Sequence, residues 1–283
     1  MPRNLYMIYL YENSVTGDPI YKLEKLKSNL KKMDSVAVAF SGGVDSSFLL
    51  KIAHDTLGEN VIAVTAISSI FSKKEWNESK KFTKDLGVKQ IFIKFEETEI
   101  DKFSENSLDR CYLCKKVLFN KIKEVVNENN IKYVLDGSNA DDVNDYRPGS
   151  KAIEELGVFS PLKDAGLTKE EIRSLSKQLD LKTWDKPEFA CLASRFPYGT
   201  KITKSRLKMV EKAEEYIQNL GVKQFRVRYH DDIARIEVNK ADFQNIIKNS
   251  KEISKEFKEL GFKFVTLDID GYRMGSLNEG IKK

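Results

Sequence analysis

The chain has 283 residues, 41% of them hydrophobic and 32% charged, with a formal net charge of +5. That length allows one large and one smaller domain around a substantial core, and the composition is that of a globular protein. The mild positive excess suits a polyanionic small ligand but falls short of a nucleic-acid binder, and no run of about 18 apolar residues offers a membrane span.

The first 18 residues carry a short apolar patch without a long apolar core or a small-residue cleavage site. No signal peptide is therefore expected, and a cytoplasmic location is. From residue 34 to 185 apolar runs alternate with amphipathic stretches. Val36–Phe40 reads as a first strand, Asp45–Leu57 as a helix and Val61–Ala66 as a second strand. A helix over Ser72–Leu86, a strand over Gln90–Lys94, a helix over Leu113–Asn127 and a strand over Lys132–Asp136 follow. Near-continuous apolar strands separated by helices predict an α/β fold, a parallel sheet with helices on both faces. Ligands of such sheets lie beyond the carboxyl ends of the strands, where Ser41–Ser47 and Gly137–Asp142 fall.

Thr168-Lys169-Glu170-Glu171 reads as a capping box opening a helix to Leu179. Trp184–Gly199, with two prolines and a glycine, reads as a loop and the domain junction, dividing residues 1–185 from a smaller α+β domain over 186–283. In that second domain a helix over Lys204–Leu220 precedes a hairpin, Gln224–Tyr229 and Ile233–Val238 around His230-Asp231-Asp232. A helix over Ala241–Leu260 and a strand over Lys263–Asp268 complete it.

Ser41-Gly42-Gly43-Val44-Asp45-Ser46-Ser47 joins the first strand to the first helix. It has no lysine, so it is not the mononucleotide loop G-x-x-x-x-G-K-[ST], and it lacks the G-x-G-x-x-G of a dinucleotide site. The glycines let backbone amides approach an anion, and the helix N-terminus adds positive potential. Ser41, Ser46 and Ser47 supply hydroxyl donors, and Asp45 offers a carboxylate for Mg²⁺. A plain glycine turn with a serine cap is the bland alternative. The three cysteines are Cys111, Cys114 and Cys191. An odd count argues against a disulfide framework and for metal or sulfur chemistry. A redox dithiol, a zinc site completed by His230 or His54, and buried thiols without a role remain open. Arg226 and Arg228, two apart on a strand, share a face and match a phosphate monoester, unless they form an exposed basic edge.

The S-G-G-x-D-S pattern resembles the pyrophosphate loop of the PP-loop ATP pyrophosphatase superfamily, with its adenine nucleotide alpha hydrolase-like fold. The resemblance implies cleavage of ATP between the α- and β-phosphates, the turn holding the departing pyrophosphate. By it, Thr65 lies where backbone meets adenine, Gly137, Asp141 and Asp142 form a second nucleotide- and metal-contacting loop, and Lys163 is a candidate for phosphate charge. From Ser35 to Gly275 the chain resembles the LarE-type sulfur transferases. The carriers are Arg110–Lys115, Asp136–Asn139 with Asp141-Asp142, Tyr146–Gly149, Lys186–Gly199 and Phe225–Arg228. This family adenylates the carboxylates of pyridinium-3,5-biscarboxylic acid mononucleotide and converts them to thiocarboxylates for the nickel-pincer cofactor. The resemblance implies that Arg226, Arg228 and Arg273 hold the substrate phosphate, with Arg195 and Glu214 near the substrate.

In one branch the cysteine at the Cys191 position surrenders its own sulfur. In another, three cysteines, here Cys111, Cys114 and Cys191, hold a [4Fe–4S] cluster whose free iron carries sulfide. The three-cysteine pattern resembles the second. The expected partners are the mononucleotide, a sulfide donor and further copies of the chain, with no membrane and no nucleic acid. The rivals are a tRNA thiolation enzyme of the same superfamily, an amide-forming synthetase, and an ATP-binding sulfur or metal carrier without turnover.

Overall fold

The computed structural model describes residues 17–68, 73–144, 148–187, 191–273 and 275–278. Ser72, Tyr146-Arg147 and Glu188–Ala190, which belong to the helix and motifs anticipated above, lie outside the described residues. The described chain forms two compact units, one drawn from 17–67, 73–95 and 111–186, the other from Ser68, 96–110 and the described part of 187–278.

The first unit opens with α1 (Pro19–Lys31), where the Asp18 carboxylate accepts the Ile20 N–H at 2.9 Å and a proline takes the first helical position. Then come β1 (Val36–Ala39), α2 (Val44–Leu57), β2 (Val61–Ile67), α3 (Lys73–Leu86), β3 (Lys89–Lys94), α4 (Arg110–Glu128) and β4 (Tyr133–Leu135). The helices α5 (Pro148–Glu155), α6 (Pro161–Ala165) and α7 (Lys169–Gln178) finish the unit. The strands pair in parallel in the order β3-β2-β1-β4. On one face Val36, Val38 and Leu135 pack with Leu26, Phe48, Ile52, Ile172 and Leu175 from α1, α2 and α7. On the other, Ala37, Val64 and Val134 pack with Phe119, Ile122, Val126 and Ile153 from α4 and α5. Alternate residues of β1 are thus buried on opposite sides, as a doubly covered sheet demands. The winding reverses between β1 and β4, so the segments after these two strands leave the sheet side by side at its carboxyl edge.

In the second unit α8 (Lys204–Asn219) precedes the antiparallel hairpin β5 (Phe225–His230) and β6 (Ile233–Val238), which turns at Asp231 with φ +53°. The chain returns through α9 (Phe243–Lys248) and α10 (Ser250–Leu260) to β7 (Phe264–Leu267), which pairs in parallel with β6. The single helix expected over Ala241–Leu260 is broken at Asn249. There the Asn249 side-chain amide donates to the Asn245 carbonyl at 2.8 Å, an alternative to continued helix that asparagine readily takes. Asn106 ties residues 96–110 to the rest, its Nδ2 donating to the Phe196 and Pro197 carbonyls at 3.2 and 2.6 Å. No helix among the described residues is long and apolar enough to cross a membrane.

Glu97 is fully buried in this unit, and burial pushes its carboxyl up to about 7 from 4.5. The Ser68 hydroxyl and its own backbone N–H oppose the shift, while Glu96 adds to it. The folded chain therefore holds a proton that the unfolded chain has lost, and stability falls as pH rises from about 4.5 to about 7. Glu97→Gln is expected to remove that loss, leaving the variant more stable than the parent at about pH 8 by on the order of 3 kcal/mol. Thermal melts of both proteins should coincide near pH 4 and separate at about pH 8. Coincidence at both would contradict the burial argument.

Candidate active site

β1 ends at Ala39 and the chain turns through Ser41, Gly42 and Gly43 into α2. Gly42 has φ +73°, and a Cβ there would stand 3.3 Å from the Ser79 Cβ, so only glycine fits unstrained. Gly43 caps α2 without a side-chain hydrogen bond, so the first-turn amides carry no side-chain cap. Ser41 Oγ lies 3.1 Å from Ser46 Oγ and accepts the Gly43 N–H at 3.3 Å. Ser47 is fully buried, and its hydroxyl has no hydrogen-bond partner among the described residues. The turn concentrates hydroxyl and amide donors at the positive end of α2, which is the chemistry an oxyanion needs.

The segment after β4 arrives beside it. Gly137 packs so closely on α2 that a Cβ would stand 3.2 Å from the Ser46 nitrogen. The Asp136 carboxylate anchors this segment, accepting from Ser138 and Ser160 hydroxyls at 2.5 and 2.6 Å. Asp142 accepts the Asn139 N–H at 3.1 Å, and Asp141 accepts the Lys169 N–H at 2.8 Å. Lys163 enters through its backbone, which donates to the Ser138 carbonyl at 3.1 Å. Thr65 is buried on β2, its hydroxyl donating to the Phe40 carbonyl and accepting from Gln90, each at 2.8 Å. Its side chain fastens the end of β1 to β2.

Two lysines assigned no role at the nucleotide loop from sequence stand at the turn. Lys169 Nζ lies 2.5 Å from Asp45 Oδ2, and Lys186 Nζ donates to the Gly42 carbonyl at 3.0 Å and to Glu78 at 2.9 Å. The one sequence signal for Lys169 is its place in a capping box, where a helix start favours acids.

Cys111 and Cys114 fall within the first turns of α4, which begins at Arg110 rather than at the expected Leu113. Their spacing of three puts both thiols on one side of that helix, and both are half-buried. Cys191, also half-buried, belongs to the second unit and directly precedes a short 3-10 turn, Leu192–Arg195. As a donor set, three thiols with two at this spacing suit an iron–sulfur cluster in kind. Among the described residues no three or more Cys, His, Asp or Glu side chains are gathered as a metal site. His54 Nδ1 is engaged with the Gly58 carbonyl at 3.1 Å, and burial lowers the His230 pKa.

In the second unit, Arg195, Glu214, Arg226 and Arg228 are all buried, so Arg226 and Arg228 do not form an exposed basic edge. Arg195 grips Glu214 through Nε and Nη2, each at 2.8 Å, and donates to the Cys191 carbonyl at 3.2 Å. Glu214 also accepts the Val227 N–H at 2.9 Å. Arg228 reaches the Ser194 carbonyl at 2.9 Å and the fully buried Glu237 at 2.8 Å; Glu237 further accepts from Arg235 and Ser276, each at 2.9 Å. Arg226 lies over the Tyr272 ring at 5.2 Å. Burial pushes its pKa down to about 10, Arg195 assisting and Glu214 opposing. Arg273 is further out, 3.2 Å from Asp270. Glu237 and Ser276 went unnoticed in the sequence; the charge of Glu237 opposite Arg226 in the hairpin register was the available signal.

Comparison with known proteins accords with both halves. The PP-loop domain family matches residues 17–146. The pyridinium-3,5-bisthiocarboxylic acid mononucleotide synthase of Lactiplantibacillus plantarum is 37% identical over 263 residues, covering 93% of this chain and 95% of the relative. An uncharacterised Synechocystis protein is 38% identical over 93% of this chain and 98% of its own length. A chain of the glutamine-hydrolysing GMP synthase of Sulfurisphaera tokodaii is 26% identical over 79% of this chain and 65% of its own.

Proposed function

The chain belongs to the LarE-type family of ATP-dependent sulfurtransferases within the PP-loop superfamily, and on that footing we propose that it converts the carboxylates of pyridinium-3,5-biscarboxylic acid mononucleotide to thiocarboxylates for a nickel-pincer cofactor. The observation that carries this is the donor-rich turn of Ser41, Gly42, Gly43, Ser46 and Ser47, beside Gly137 and Asp141 at the carboxyl edge of the sheet.

In this reading the turn holds the β,γ-phosphates of ATP, with Lys163 adding charge and the backbone at Thr65 meeting adenine. Asp45 and Asp141 would hold Mg²⁺, which when bound neutralises phosphate charge. A substrate carboxylate attacks the α-phosphorus, the bond to the β-phosphate oxygen breaks, and pyrophosphate leaves. The hydroxyls and amides of the turn meet the negative charge that grows on that leaving group, where their stabilisation is most effective. Sulfide then attacks the acyl carbon and AMP departs, leaving the thiocarboxylate. Cys111, Cys114 and Cys191 would hold a [4Fe–4S] cluster, which when bound supplies an iron open to sulfide.

Arg226, Arg228 and Arg273 would bind the substrate phosphate, because phosphate is the anion that repays burying so many guanidiniums in one region. Arg195 and Glu214, bound to each other and to the backbone at Cys191 and Val227, hold that region in position. The same reading has the protein cytoplasmic and homo-oligomeric.

The test is product analysis of anaerobically purified protein. AMP and pyrophosphate should form in equal amounts only when the biscarboxylate mononucleotide is present, with about four irons and four labile sulfides per chain. Turnover driven by tRNA, with steep salt dependence, would replace this reading by tRNA thiolation. Iron-free active protein losing one sulfur from Cys191 would replace the cluster by sacrifice.

A further inference from the structure

The Asp45–Lys169 pair joins two helix starts. Asp45 lies in the first turn of α2, and Lys169 is the first residue of α7. Its backbone N–H is committed to Asp141 while its ammonium is committed to Asp45, so one residue bridges the carboxylates of both loops. The ammonium also sits at the positive end of α7, where a cation is disfavoured by about 0.3–1 kcal/mol. Everything else at that helix start follows the local electrostatic rule: Thr168 and Glu171 complete a reciprocal capping box, and Glu170 adds an acid. A residue kept against its local preference is a mark of function.

We infer that Lys169 is a resident counter-ion: it neutralises Asp45 while the nucleotide site is empty and passes to the triphosphate when nucleotide and divalent cation arrive. This rests on the assignment of the Ser41–Ser47 turn to ATP. Asp45 Oδ2 is in direct contact with the ammonium, and a divalent cation at that oxygen would bring like charges within a few ångströms. The ammonium must move away, its four-carbon stem is flexible, and the polyanion in the adjacent turn is the nearest compensation. The mononucleotide loop carries a lysine within its own motif; here that charge arrives from 124 residues downstream and is stored on the carboxylate until needed.

The alternative is a structural tie between α2 and α7, which pack on each other. Calorimetric titration of Lys169→Met separates the two. With Mn²⁺ alone the variant should bind about tenfold more tightly than the parent, its competitor for Asp45 having gone. With ATP and Mg²⁺ it should bind about ten- to a hundredfold more weakly, having lost a charge-assisted contact. With ATP in EDTA, Lys169→Met should cost little in the parent but about tenfold in Asp45→Asn, where the ammonium is already released. Equal costs in both backgrounds, or a lowered Tm with unchanged Mn²⁺ and nucleotide affinities, would overturn the inference. Lys169→Gln carries the same comparison if Lys169→Met does not fold. Failure of the ATP assignment reads out separately, as Ser46→Ala binding ATP as tightly as the parent.

Discussion

Asp45→Asn is expected to cut pyrophosphate release by on the order of a hundred- to a thousandfold while costing only about 1 kcal/mol of stability. The asymmetry follows from where the carboxylate sits. It is partly exposed, 18% against 23% for its lysine partner, so water screens the ion pair and little folding free energy depends on it. Its place is in the first turn of α2, one residue before Ser46; in the proposed reading that negative charge would hold the cation accompanying the triphosphate. Asparagine keeps the shape and one hydrogen-bonding oxygen and removes only the charge. Ser46→Ala should lower release in the same direction by removing a donor from the leaving group. Continuous pyrophosphate detection with saturating substrate, paired with thermal melts, measures both arms. Undiminished release in both variants would remove the turn from the chemistry.

What the sequence revealed was whatever is local and periodic. The four strands, the helix after the glycine turn and the capping box at Thr168 each rest on residues within a few positions of one another. Asp18-Pro19 was equally local, a cap followed by a first-turn proline, yet α1 went unread because nothing upstream of it fits the alternation. The break at Asn249 was hidden because asparagine both ends α9 and precedes α10. Lys186 at the Gly42 carbonyl is 144 residues away in sequence, and no spacing rule connects them. The period-two placement of Arg226 and Arg228 told that they share a face. It could not tell that the face is buried, because a strand of alternating arginines looks solvated until Glu214 from α8, which accepts the Val227 N–H, and Glu237 from β6, which accepts from Arg228, are known.

Glu214→Ala is expected to destabilise the second unit by about 3–5 kcal/mol, the cost of leaving a buried guanidinium without its carboxylate. Arg195 is 1% exposed and Glu214 8%, so water cannot take over the lost contacts. The deletion strips two charge-assisted bonds from Arg195 and the acceptor from the Val227 N–H inside β5. It also removes the carboxylate that partly offsets the burial of Arg226, whose pKa would fall further below about 10. At about 4–8 °C per kcal/mol for a unit of this size, the transition should drop by more than 10 °C or disappear at assay temperature. Removing the charge on both sides should be milder than removing one, so Arg195→Met with Glu214→Leu should recover much of the loss. The comparison also separates a substrate contact at Glu214 from a positioning role. A substrate contact alone would lose activity in Glu214→Ala with the melt unchanged; a positioning residue loses the melt first, and the charge-free pair regains Tm ahead of activity. An unchanged melt in the single variant would break the claim that this pair holds the arginines in place.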